Sequence, residues 1–178
     1  MKAVIFDLDG TLINSLDNIA SCMNKSLKKF GFEEHETEKY RYFIGDGSFM
    51  LTKRALPQNT EDEIIKKVFD LFINTYEDNI YENTATYDGI YEMLEKLQNT
   101  NLKLGILSNK PDKFTKQFGV KFFNNCGFEQ IQGQKEGIAP KPDPSGVLDI
   151  AKTFNLKPEE VFYVGDSSTD MLTASNAN

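Results

Sequence analysis

The chain has 178 residues, 39% of them hydrophobic and 26% charged, with a formal net charge of −7. This suits one globular domain with room for a smaller second lobe, and the acidic balance argues against nucleic acid or an anionic membrane as the main partner. Cys22 and Cys126 are the only cysteines and lie in no CxxC or Cys/His cluster, which speaks against structural zinc and against a disulfide framework.

Four apolar residues open the chain, Ala3, Val4, Ile5 and Phe6, and run straight into Asp7, Leu8, Asp9 and Gly10. A short run this rich in Val and Ile predicts a strand buried on both faces of a parallel sheet. Asn14 or Ser15 is placed to cap a helix carrying Leu16, Ile19, Met23, Leu27 and Phe30, with Gly31 at its end. A polar stretch follows, then the Gly45-Asp46-Gly47 turn and a short helix over 49–56, stopped by Pro57. Thr60 and Glu63 have capping-box spacing, ahead of a helix bearing Ile65, Val68, Phe69, Phe72 and Tyr76. From Leu16 to about Tyr81 the pattern is helical, and its stripes read as helix-on-helix core.

After Asp88 helix and strand alternate. Asp88 caps a predicted helix with Ile90, Leu94 and Leu97, and a strand over 102–107 ends at Ser108-Asn109. Pro111 opens a helix with Phe114, Phe118 and Phe122, and a weaker strand covers 128–131. A polar loop then carries Lys141 between two prolines, Asp143-Pro144 opens another helix, and Pro158 opens a further turn. A strand over 161–164 ends at Gly165-Asp166, and Ser167 to Thr169 cap a last helix with Asp170 in its first turn. The expected fold is α/β: a Rossmann-like parallel sheet core, residues 1–15 and 84–178, with an all-helical insert, 16–83, after the first strand. The two crossings between lobes are expected to hinge.

The chemistry gathers at strand ends, where open parallel sheets bind ligands. Each signal alone has an ordinary explanation: a DxD turn, a solvated loop lysine, a helix cap. Their joint occurrence in this order is what counts. Carboxylates brought together repel, and a hard cation such as Mg²⁺ relieves them. With a lysine, a hydroxyl and the backbone N–H groups of the Gly10 turn, the set resembles a phosphoryl clamp. A carboxylate can attack phosphorus while a second one moves protons.

The stretch Phe6-Asp7-Leu8-Asp9-Gly10-Thr11-Leu12 resembles the first signature of the haloacid dehalogenase superfamily. Ser108, Lys141 and the 165–170 segment resemble its second, third and fourth. The resemblance implies a Mg²⁺-dependent phosphatase working through an aspartyl-phosphate. Asp7 would be the nucleophile and Asp9 the acid and base, which sets the chain apart from the dehalogenase branch. Asp7, the backbone carbonyl of Asp9, and Asp166 would hold the metal. Ser108, Asn109 and Lys141 would bind the phosphoryl group, supported by Asp170 and Thr11. Residues 43–56 and Ser108-Asn109-Lys110-Pro111 are similar to phosphoglycolate phosphatases, so 2-phosphoglycolate is the favoured substrate. A phosphomutase, a pyrophosphatase, a nucleotidase and an inactive core that only binds metal or phosphate are the alternatives. Gly45, Asp46 and Arg54 are substrate candidates, Arg54 because its guanidinium suits a planar carboxylate. His35, the single histidine, reads as a surface loop residue without a catalytic role.

Members of this superfamily usually continue through about one more strand and helix, so the 161–164 strand is expected to be a bare sheet edge. The N-terminus lacks a signal-peptide pattern and no apolar run approaches the roughly 20 residues of a membrane span. The expected setting is cytoplasmic, as a monomer or dimer whose partner is a small phosphorylated substrate.

Overall fold

A computed structural model describes residues 1–177. The chain divides into two compact units, Met1–Asn14 with the chain from Thr86 onward, and Ser15–Ala85.

The first unit is built on a four-stranded parallel sheet of β1 (Ala3–Phe6), β4 (Lys103–Pro111), β5 (Phe128–Gln134) and β6 (Val161–Val164), in the order β5-β4-β1-β6. Two short strands at the crossings, β2 (Ile13–Asn14) and β3 (Ala85–Thr86), form a separate two-stranded sheet. Four helices complete the unit: α4 (Ile90–Gln98), α5 (Asp112–Phe123), α6 (Ser145–Thr153) and α7 (Ser168–Ala177).

All four residues of β1 are buried, because apolar side chains pack on both faces. On one face Ala3 and Ile5 join Leu107 of β4 and Val147, Ile150 and Phe154 of the α6 segment. Gly146 permits this approach: a Cβ there would lie 2.6 Å from a Leu107 methyl. On the other face the Phe6 ring meets Phe128 edge-on at 6.1 Å, and Phe128 meets Phe123 of α5 at 5.6 Å. Alternation along an extended strand sends successive side chains to these two layers. The register pairs Phe6 with Ile106 on one side and Val164 on the other. Residues 7, 107–108 and 165–166 therefore follow at one level of the sheet edge. β6 is one of the two outer strands, and Phe162 and Val164 are exposed on it.

The second unit holds α1 (Leu16–Lys29), a 3₁₀ segment (Thr37–Tyr42), α2 (Ser48–Ala55) and α3 (Asp62–Asp78). Ile19, Met23 and Leu27 of α1, together with Ile65, Val68 and Phe72 of α3, are buried as the helical stripes require. Three expected caps do not form. Ser15 precedes α1 but makes no side-chain capping bond. Thr60 Oγ1 donates to the Pro57 carbonyl (2.7 Å) and Glu63 pairs with Lys67, so the capping box gives way to two other local bonds. α4 likewise starts from Gly89 in the left-handed conformation, not from Asp88. His35 is more than a surface loop residue. Its ring nitrogen bonds the Ala55 carbonyl (2.8 Å) and its ring packs edge-on against Phe43, fastening the loop to α2. Among the described residues no helix is long and apolar enough to cross a membrane.

Candidate active site

Where β1 ends, Asp7 is buried, and its backbone N–H donates to the Val164 carbonyl at 2.8 Å. The adjacent Leu8 is fully buried and anchors the turn that follows: its carbonyl accepts from the N–H groups of Leu12 (2.9 Å) and Ile13 (3.0 Å). Gly10 completes the turn at φ +92°. It is required there twice over, since a Cβ would be strained at that angle and would lie 2.3 Å from Asp166 Oδ2. The Thr11 hydroxyl donates to Asp166 Oδ1 at 3.2 Å.

Lys141 reaches this point from the loop before α6. Its Nζ donates to Asp7 Oδ1 (2.7 Å), Asp170 Oδ1 (2.6 Å) and the Tyr163 hydroxyl (3.0 Å). Its backbone is fixed by Asn109, which donates from Nδ2 to the Lys141 carbonyl (3.0 Å) and accepts the Lys141 N–H at Oδ1 (2.8 Å). Asp170 accepts the Ser167 N–H at Oδ2 (3.0 Å), and its own N–H donates to Ser167 Oγ (3.2 Å), a reciprocal cap at the head of α7.

Carboxylate oxygens of Asp7, Asp166 and Asp170 all lie within 4.8 Å of one another. The charges show the strain of that crowding. Burial pushes the Asp7 carboxyl up to about 7, with Asp170 and Asp9 adding to the rise and Lys141 opposing it. Burial, and then Asp170, raise Asp166 as well. At Asp170 burial is outweighed by Lys141, and the carboxyl sits below its usual value. Burial also works against the charge on Lys141, but Asp7 and Asp170 prevail and hold it as an ammonium. A hard-oxygen donor set with excess negative charge fits a small divalent cation.

Asp9 faces elsewhere. Both its oxygens accept from Lys110 Nζ at 2.9 Å. Ser108 Oγ accepts the Lys110 N–H at 3.1 Å. The sequence reading gave Lys110 and Tyr163 no role. For Lys110 the available signal was its place directly after Ser108-Asn109; for Tyr163 it was a polar tip on a strand whose end is functional. Asp46 and Arg54 are paired with each other in the second unit, where Arg54 also donates to the Phe43 carbonyl (3.1 Å) and Gly45 adopts φ +117°.

A parallel sheet whose central strand ends in a buried aspartate, set against a lysine and two further carboxylates, defines a Rossmann-like protein with a charged cluster at the carboxyl ends of its strands. The comparisons refine this. The haloacid dehalogenase-like hydrolase family matches residues 4–178, and the chain belongs to it. It is 32% identical to the phosphoglycolate phosphatase of Psychrobacter arcticus, over 99% of this chain and 80% of that protein. It is 31% identical to phosphoglycolate phosphatase 1 of Pseudomonas aeruginosa, over 99% of this chain and 66% of that protein. The crystal structure of a predicted phosphoglycolate phosphatase from Haemophilus somnus superposes with a TM-score of 0.92 at 28% identity, covering 99% of this chain and 82% of that one.

Proposed function

We propose that this chain is a Mg²⁺-dependent phosphatase that hydrolyses a small phosphate monoester through a phosphorylated Asp7, with 2-phosphoglycolate as the favoured substrate. The observation that carries this reading is the contact of Lys141 Nζ with Asp7 and Asp170 beside Asp166. That grouping supplies a nucleophile, a fixed cation for phosphoryl oxygens and a set of hard ligands in one place. The 2-phosphoglycolate preference is supported by the names of the relatives above.

In the first half, an Asp7 oxygen bonds phosphorus and the bond to the ester oxygen breaks. Asp9 gives a proton to the departing alkoxide. In the second half, Asp9 takes a proton from water as the water oxygen bonds phosphorus, and the Asp7–phosphorus bond breaks. Lys141, Ser108 and Asn109 orient the phosphoryl oxygens, while Asp170 and Tyr163 hold the Lys141 ammonium in place. Asp7, the Asp9 carbonyl and Asp166 would hold Mg²⁺, with Thr11 steadying Asp166. Bound there, the ion would supply charge neutralisation for the cluster and the phosphoryl group.

The test is phosphate release from 2-phosphoglycolate, other alkyl phosphates and an aryl phosphate, with EDTA and with Mg²⁺ restored. Wild type is expected to turn over in Mg²⁺ only, and Asp7→Asn to lose turnover by at least about 10³-fold. Retention of turnover by Asp7→Asn refutes the covalent route. Failure on every ester refutes the phosphatase reading.

A further inference from the structure

We infer that Lys110 is a positioning residue for Asp9: its ammonium, gripping both oxygens of that carboxylate, fixes where the proton of the phosphoryl-transfer step is delivered. The inference rests on the phosphatase reading above and adds a residue to it.

The geometry is that of a built support. Lys110 is the penultimate residue of β4 and is 9% exposed, unusually low for a lysine. Its backbone is held on both sides, the N–H by Ser108 Oγ and the carbonyl by Thr115 Oγ1, each at 3.1 Å. Gly133 of β5 lies close to the same carbonyl and leaves it room, since a Cβ there would lie 2.6 Å from it. The ammonium lies 5.2 Å from the centroid of the Phe118 ring, itself fully buried. From that shelf Nζ meets Asp9 Oδ1 and Oδ2 at the same 2.9 Å.

Stability alone explains such a pair poorly. Burying an ammonium and a carboxylate costs about as much as their attraction returns. What the pair provides is a defined direction. Asp9 sits on a turn beside Gly10, and an aspartate there has two side-chain torsions to fix. Two equal contacts fix them, and one oxygen can carry the transferred proton while the other stays tethered. Sub-ångström placement of a proton-transfer group is worth about 10²-fold in rate.

Leaving-group dependence separates this role from a structural one. An alkoxide needs Asp9's proton to depart, whereas 2,4-dinitrophenolate departs without one. In single-turnover measurements, Lys110→Met is expected to slow transfer from an alkyl phosphate by about 10²-fold. Release of dinitrophenolate should change by less than about 5-fold. KM for the alkyl ester should stay within about 3-fold of wild type. Lys110→Gln keeps a hydrogen-bond donor near Asp9 and should fall between wild type and Lys110→Met on the alkyl ester alone; it carries the test if the methionine variant does not fold. In an Asp9→Asn background, Lys110→Met should add nothing. Equal losses on both esters, no loss on the alkyl ester, or full additivity with Asp9→Asn overturns the role of Lys110 and leaves the phosphatase reading standing. A wild type inactive on every ester overturns both.

Discussion

Replacing Gly10 by alanine tests whether the turn after β1 sets the position of Asp166. The new Cβ would start 2.3 Å from Asp166 Oδ2 and 2.6 Å from Cγ, and ordinary contact begins at 3.4 Å, so the carboxylate must retreat by about 1.1 Å. A misplacement of that size costs about 10²-fold in kcat for a group in a preorganised site. The backbone adds a separate penalty. At φ +92° a side chain is strained by about 1–2 kcal/mol, which for a chain of this size lowers Tm by about 2–8 °C. Gly31→Ala separates the two effects. Its φ is +77°, but nothing lies within 4 Å of the added Cβ. The assay is phosphate release against MgCl₂ concentration, with a thermal melt of each variant. Both variants should melt lower, but only Gly10→Ala should lose turnover and demand more Mg²⁺. A Gly10→Ala protein with wild-type kcat and wild-type Mg²⁺ dependence would refute the reasoning, whatever its Tm.

Three further outcomes are expected. Asn109→Leu removes both bonds to the Lys141 backbone and strands two buried groups, costing about 2–4 kcal/mol; urea unfolding should show this with an unchanged m-value. MgCl₂ at about 100 times its Kd should stabilise the folded chain by about 2.7 kcal/mol, read as a rise in Tm that Asp166→Asn diminishes. Burial pushes the Asp112 carboxyl up, but Lys116 and the Gly133 N–H outweigh it and hold it below 3.8. Its contribution is therefore present above the unfolded value and lost as pH falls through the depressed one. The stability gap between wild type and Asp112→Asn should be constant near neutrality and close on acidification, with a urea midpoint series as the measurement.

How much of this was legible in the sequence follows from how local each signal is. The β1 strand and its two aspartates were readable because burial on both faces demands an unbroken apolar run. The meeting of Asp7 and Asp166 was readable because β1 and β6, four residues each, lie side by side in parallel and end together. The caps at Ser15 and Thr60 misled. Composition allows a cap, but Ser15 has ψ 7°, outside the extended region from which a capping side chain turns back. β2 and β3 have two residues each and carry no period to detect. Lys110 was hidden for a different reason. A lysine after a strand reads as solvated, and its burial depends on Asp9, 101 residues earlier, and on Phe118, one face of a helix that the strand does not encode.

The charge balance of the site leads to its own test. Three carboxylates, Asp7, Asp166 and Asp170, share one ammonium, Lys141. The two negative charges left over equal those of one divalent cation. Lys141 holds Asp170 below its usual value, so the surplus falls on Asp7 and Asp166; burial first, and neighbouring carboxylates after it, push Asp7 up to about 7 and raise Asp166 as well. Without a cation the raised Asp7 carboxyl holds its proton toward neutral pH and is poorer at attack. Binding Mg²⁺ favours the ionised form and must expel that proton. The release should approach one proton at pH 6 and shrink above pH 8, because the proton is already gone there. Calorimetric titration in two buffers of different ionisation enthalpy measures it directly. The proton count should drop in Asp7→Asn. Heats at pH 6 that are identical in the two buffers would mean that the surplus charge does not reside on Asp7.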